Sequence, residues 1–181
     1  MTGSKNDFRP MVPADPDGAN RVARQARLGL KPEPDDVHDA FAAEARQRFG
    51  GMMAGVNLVG EDCWQYFIGF SKRDDLGPVT EADRVMDKEH GYCAVMITER
   101  TSPLAINTKS HPRWSTNPVA QYFGVESYMG VELYDEDGAP WGTVWVVDDV
   151  EHDWKQSDID WMKDLGHRVE TYVNERCRQS R

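Results

Sequence analysis

Apolar positions along this chain fall into two periods, and the switches between them lay out the elements. Residues 52–59 form an apolar run, and 63–70 a second one across the turn Gly60-Glu61-Asp62, which predicts an antiparallel strand pair. In the second strand Trp64, Tyr66 and Ile68 are expected on one face, and Cys63, Gln65, Phe67 and Gly69 on the other. Residues 127–134 and 141–147 form the clearest hairpin, joined through Asp135-Glu136-Asp137-Gly138. Residues 103–106 read as a short strand. A long polar and aromatic loop follows at 108–118, then a helical turn at 119–123 with Pro118 at its first position.

Helical spacing brackets these strands. Asp35 or Asp36 caps a helix over 37–49 that stops at Gly50-Gly51. Trp161, Met162, Leu165, Val169, Tyr172 and Val173 make a broad stripe on a last helix, with Ser157 as cap and Asp160 three residues on. Short helices are expected at 21–28, 81–88 and 92–97, and a loop at 71–79. Residues 1–20, rich in Pro, Asp and Gly, read as a disordered tail. The division is a leader over 1–34, disordered or partly helical, a folded body over 35–177 and a tail over 178–181. The order of elements gives an α+β domain with an antiparallel sheet and terminal helices on one face.

Charge narrows the partners. The net charge is −10, and it is uneven: residues 1–34 carry six Lys/Arg against four Asp/Glu, whereas 35–181 carry fifteen against twenty-seven. So acidic a body repels phosphate backbones, which excludes nucleic acid as a partner. No apolar run approaches the roughly 18 residues of a membrane span, and the first thirty residues lack a secretory apolar region. Cys63, Cys93 and Cys177 are odd in number without CxxC spacing, so reduced thiols in a cytoplasmic setting are expected.

Several motifs in order resemble those of a GAF domain. They are Gly91-Tyr92-Cys93, Pro103-Leu104-Ala105-Ile106-Asn107, Asn117-Pro118, Ser127-Tyr128-Met129-Gly130-Val131, Asp137-Gly138 and the strand Trp141-Gly142-Thr143-Val144-Trp145-Val146-Val147-Asp148. The resemblance spans residues 36–176, and Arg24-Gln25-Ala26-Arg27-Leu28-Gly29-Leu30 is similar to leaders of bacterial GAF domains. It implies a sheet of about six antiparallel strands, terminal helices on one side and a loop-covered ligand pocket on the other. Relatives bind cyclic nucleotides, haem, bilins, small metabolites or nothing known, and most are sensory modules joined to an output domain. At 181 residues this chain has no room for such a domain beside the sensor. The resemblance therefore implies a stand-alone sensor that signals through a partner protein in trans, with an unidentified small-molecule ligand and no named cofactor, and the broad stripe of the last helix is expected to serve as a homodimer face. Asn107 stands where many relatives carry Asp, which weakens any charge-based role there.

Candidate ligand-binding residues are Trp64, Tyr66, Cys93, Asn107, Arg113, Trp114, Tyr128 and Trp145. Trp114, in the loop His111-Pro112-Arg113-Trp114, has the least reason to be core, and Arg113 could hold a carboxylate or phosphate bidentately. Cys93, with His90 three residues before it, is either a reactive thiol or a buried small hydrophobe. His90, Cys93 and His111 could converge on a metal, although only the first pair has a recognisable spacing. Two alternatives to the sensor remain. One is a small redox or ligand-modifying enzyme using Cys93; the other is an interaction module whose pocket is filled by its own aromatics. Free-methionine-sulfoxide reductases are GAF domains that act alone, but they place a cysteine after the short strand. This chain has Ile106-Asn107-Thr108 there.

Overall fold

A computed structural model describes residues 12–180. The two apolar runs near the start pair as β1 (Met53–Val59) and β2 (Trp64–Lys72), and the edge strand β3 (Val85–Asp87) adds to β2. β4 (Leu104–Asn107), β5 (Ser127–Tyr134) and β6 (Pro140–Asp148) complete a six-stranded sheet, every pair antiparallel, in the order β3-β2-β1-β6-β5-β4. The helices are α1 (Gly18–Arg27), α2 (Asp36–Phe49), α3 (Tyr92–Glu99), α4 (Pro118–Phe123) and α5 (Gln156–Gln179).

Local chemistry sets the ends of these elements. Asp35 accepts the backbone N–H groups of Val37 and His38 at 3.0 and 3.3 Å, which starts α2, and Gly50 closes it at φ +65°. In the β5–β6 turn Asp135 Oδ1 accepts N–H groups from Asp137 and Ala139, while Gly138 supplies a φ of +75°. α5 begins one residue before the expected Ser157 cap. Asp158 rather than Asp160 reaches back, accepting the Lys155 backbone N–H at 3.1 Å.

Helices α2 and α5 cover one face of the sheet. There Ala54, Val56, Leu58, Met129, Val131, Leu133, Val144 and Val146 bury against Met162, Leu165, Val169 and Val173. Trp161 packs edge-on against Phe49, and Tyr172 against Phe41 and His38, so the α5 stripe serves both the sheet and α2. The backbones of α2 and β2 touch closely: a Cβ on Gly69 would lie 2.3 Å from the His38 carbonyl oxygen. The other face lies under α3, the 108–117 loop and α4.

Three expectations are corrected. β1 and β2 slip register between Val56 and Asn57, leaving Ile68 as a bulge. The extra residue flips the strand's remaining parity. Gly69 therefore turns to α2, and Phe70 joins Phe67 on the loop side, where the two rings stack at 5.6 Å. The helix expected at 81–88 is a tight turn over Glu81–Arg84 followed by β3. Asp83 accepts the Thr80 backbone N–H and pairs with Lys72, which caps the start of the turn, and pairing with β2 satisfies backbone groups that a helix would leave at a bare sheet edge. Residues 12–20, expected as disordered tail, are built into the fold; residues 1–11 lie outside the described residues. Val12 is buried, and Asp15 bonds both Arg21 and Lys88. Arg21 and Gln25 of α1 donate to the Val59 carbonyl, and Arg24 to that of Pro140, so α1 ties the ends of β1 and β6.

Candidate functional site

The loop-side face carries one polar row in an otherwise apolar surface. Gln65 on β2, Asn57 on β1, Thr143 on β6 and Glu132 on β5 are all buried, and the last three are direct cross-strand neighbours. The Asn57 side-chain N–H donates to Gln65 Oε1 at 2.8 Å, and the Thr143 hydroxyl donates to Asn57 Oδ1. Gln65 Nε2 is left with no partner. Gly91 presses directly on this amide: a Cβ there would sit 1.8 Å from Gln65 Nε2. Any side chain at position 91 would displace the Gln65 amide from its bond with Asn57. At the β5 end Tyr134 donates to Glu132 Oε2 at 3.0 Å and Arg100 Nε lies 3.5 Å away, while Glu132 Oε1 has no hydrogen-bond partner. Burial raises the Glu132 carboxyl above the ordinary carboxylate range.

Aromatic rings close over this row. The Tyr128 ring lies along β5 across Gly130 and brings its hydroxyl to 3.3 Å from Cys93 Sγ. Tyr92 packs on Tyr128 at 4.7 Å between centroids, and Trp114 packs on Tyr92 at 5.1 Å. The space that remains, between Met53, Phe67, Tyr92, Cys93, Tyr128 and Trp145, is about 30 Å³. It has room for little more than a water molecule. Outside it a groove of about 340 Å³ runs between β3 and α4, floored by Met86 and Val119, which also border the inner cavity. Tyr122 and Phe123 stand exposed along its rim.

The electrostatics of this interior disfavour charged nucleophiles. Burial pushes the Cys93 thiol up to about 11, although it sits in the first turn of α3. Burial likewise raises Tyr92 and Tyr128. Cys63 is exposed and Cys177 half-buried, and all three thiols are free. Only the neutral thiol and hydroxyls are available for contact at neutral pH.

The structure brings together four of the expected ligand-binding residues and separates the rest. Cys93, Trp114, Tyr128 and Trp145 are buried under the lid or in it. Trp114 is 3% exposed, so the residue expected to have least reason to be core is core: it roofs Tyr92. Trp64 is 41% exposed at the start of β2, and Tyr66 borders a separate groove of about 610 Å³ beside α1. Asn107 exchanges two hydrogen bonds of 3.0 Å with the His152 backbone and pins the chain leading into α5. Arg113 holds Glu99 through two bonds of 2.9 and 2.7 Å and lies over the Trp114 ring. His90 and His111 are exposed, and among the described residues no group of three His, Cys, Asp or Glu could hold a metal ion. Sequence reasoning missed Asn57, Gln65, Thr143 and Glu132. Their signal was present, as single polar letters inside the apolar runs Val56-Asn57-Leu58, Trp64-Gln65-Tyr66, Val131-Glu132-Leu133 and Gly142-Thr143-Val144.

This architecture, a six-stranded antiparallel sheet with terminal helices behind it and a lidded face in front, is the GAF fold. Among solved structures the chain is similar to a free methionine-R-sulfoxide reductase from Neisseria meningitidis in complex with its substrate, at 18% identity and a TM-score of 0.61 over 94% of this chain and 97% of that one. It is also similar to the phycoerythrobilin-bound GAF domain of a cyanobacterial phytochrome, at 11% identity and 0.63 over 90% and 95%. The GAF region of a membrane protein of Geobacter sulfurreducens aligns at 15% and 0.59 over 86% and 96%. At these identities the likeness is one of fold. No family model and no curated protein matches the sequence. No helix among the described residues is long and apolar enough to cross a membrane.

Proposed function

We propose that the protein is a sensory module that binds a small ligand on the loop-side face, with entry between Met86 and Val119. The observation that carries this reading is the buried polar row with its unpartnered Gln65 amide, under a lid that also buries the unpartnered Tyr92 hydroxyl and Trp145 indole N–H. A buried donor without a partner costs about 1–3 kcal/mol. A fold that only needed a core would place apolar groups there. All three groups can donate, so the ligand that satisfies them carries acceptors. The outer groove beside Tyr122 and Phe123 would take its apolar part. Output passes to a partner protein or to a second copy of the chain.

Native mass spectra of freshly purified protein, compared with the denatured mass, test this. A non-covalent mass lost on denaturation, and absent from Gln65→Leu, is the expected result. A bare chain in both, with no shift in Tm across a panel of small polar metabolites, removes the ligand and favours the interaction module. The small size of the inner cavity is the observation on that side. Sedimentation equilibrium decides self-association, and a monomer at micromolar concentration excludes the dimer. The likeness to a sulfoxide reductase supports the enzymatic alternative, but the buried, protonated Cys93 thiol opposes it.

A further inference from the structure

On the helix side of the sheet, a cleft of about 130 Å³ opens between the α1–α2 linker, the start of α2 and the last turns of α5. Lys31, Glu33, Asp35, His38, Ile68 and Arg176 line it. His38 is 1% exposed, and neither ring nitrogen has a hydrogen-bond partner. Its Nδ1 lies 3.3 Å from Asp35 Oδ1, but outside hydrogen-bond geometry. We propose that this cleft binds a small monocarboxylate, with the His38 imidazole at its base and Arg176 and Lys31 at its mouth.

A count of donors and acceptors carries the assignment. Asp35 is fully engaged, because Oδ1 accepts the Val37 and His38 backbone N–H groups and Oδ2 accepts Arg176 Nη1. Asp39, the next carboxylate on α2, is held by Arg84 through bonds of 2.9 and 2.8 Å. Among the described residues, the Lys31 ammonium, the Nε and Nη2 groups of Arg176 and one His38 N–H remain without partners. Against them stand the Glu33 carboxylate at the rim and one imidazole nitrogen. Lys31 and Arg176 stand exposed at the mouth with their charge balanced by Glu33 and Asp35, so the buried His38 ring is the group that a ligand must complete, and the two cations beside it favour an anionic acceptor for its N–H. The volume is close to the ~150 Å³ of an engineered cavity that admits benzene, which limits the ligand to about six heavy atoms. Leu30, Pro34 and Ile68 supply an apolar wall for a short alkyl group, and Tyr172 backs the His38 ring edge-on at 5.4 Å. This site is separate from the loop-side pocket and does not depend on it.

Burial lowers the proton affinity of His38, so the ring is neutral at pH 7. A carboxylate beside it favours the imidazolium, and by linkage protonation tightens carboxylate binding. Acetate is the probe, with acetamide as its neutral counterpart and chloride as the ionic-strength control, read by NMR of the His38 ring. Saturable shifts with acetate alone are expected, together with a rise in the His38 pKa of about one unit at saturation. Arg176→Gln should weaken acetate binding about tenfold. Lys31→Gln, at the surface and harmless to the fold, should weaken it several-fold. Shifts that grow linearly with acetate, that acetamide or chloride reproduces, or that neither variant alters would overturn the assignment.

Discussion

The two faces of one sheet solve the packing problem in opposite ways. On the helix side eight aliphatic or Met residues of β1, β5 and β6, with Trp141 of β6 buried among them, meet four aliphatic or Met side chains of α5. On the loop side the same three strands carry Asn57, Glu132 and Thr143, and the cover is aromatic. An apolar interface against a rigid helix is dense and needs no directional bonds. A polar row under a lid is costly to bury and specific in what completes it, so the first face carries most of the stability and the second carries the unpartnered groups on which the proposed loop-side site rests.

The contrast is open to measurement, and the largest effect is expected on the helix side. Leu165→Ala should lower unfolding free energy by about 2–5 kcal/mol in denaturant melts, since a fully buried side chain leaves a cavity between α5 and the sheet. A value under 1 kcal/mol would mean that α5 is not what holds this face. Asn57→Leu on the loop side should cost about 1–3 kcal/mol, because Gln65 and Thr143 both lose their partner. Gln65→Met should abolish any ligand at a smaller cost than Asn57→Leu, because it removes the unpartnered Nε2 and leaves only the Asn57 Nδ2 group without its acceptor. A loss as large as that of Asn57→Leu would show that the amide is satisfied in solution.

Two smaller effects sharpen the loop side. Moving the Cys93 thiol from 9.0 to about 11 cuts its thiolate fraction about 100-fold, so alkylation of the folded protein should be at least that much slower than in urea. Fast labelling of Cys93 would revive the enzymatic alternative. For Glu132 the folded pKa is raised, so the unfolded chain releases its proton first as pH climbs. Stability from this group is complete below the unfolded pKa near 4.5 and declines as pH rises through the folded value. Glu132→Gln should flatten that decline, with melts of variant and parent converging in acid.

Strand and helix positions were legible because one-face burial writes its period into the chain. β5, β6 and α5 stand within a residue or two of where the hydrophobic pattern puts them. The bulge at Ile68 was hidden, since an extra residue in an apolar run leaves no mark on composition. It moved Phe70 to the loop side and Gly69 to α2. β3 was hidden too: three residues carry no period, and what made them a strand was the open edge of β2.

The residues of the candidate site were visible in the sequence, but their placement was not. Trp114, the loop aromatic with the least reason to be core, is buried against Tyr92. Tyr66 and Trp64 drew attention as aromatics on a strand, yet β2 directs one to the groove beside α1 and the other to solvent. Asn57, Gln65, Thr143 and Glu132 each look incidental in their own run; only strand register sets three of them side by side and brings Gln65 against Asn57. Apart from β3 and the turn before it, the sequence by itself determined which segments become strands and helices, through burial period, caps and turn residues, because those are written along a single segment of chain. The tertiary structure alone decided the polar row, the aromatic lid and the His38 cleft, because each joins groups from elements far apart in the chain, and no local pattern encodes which strands become neighbours.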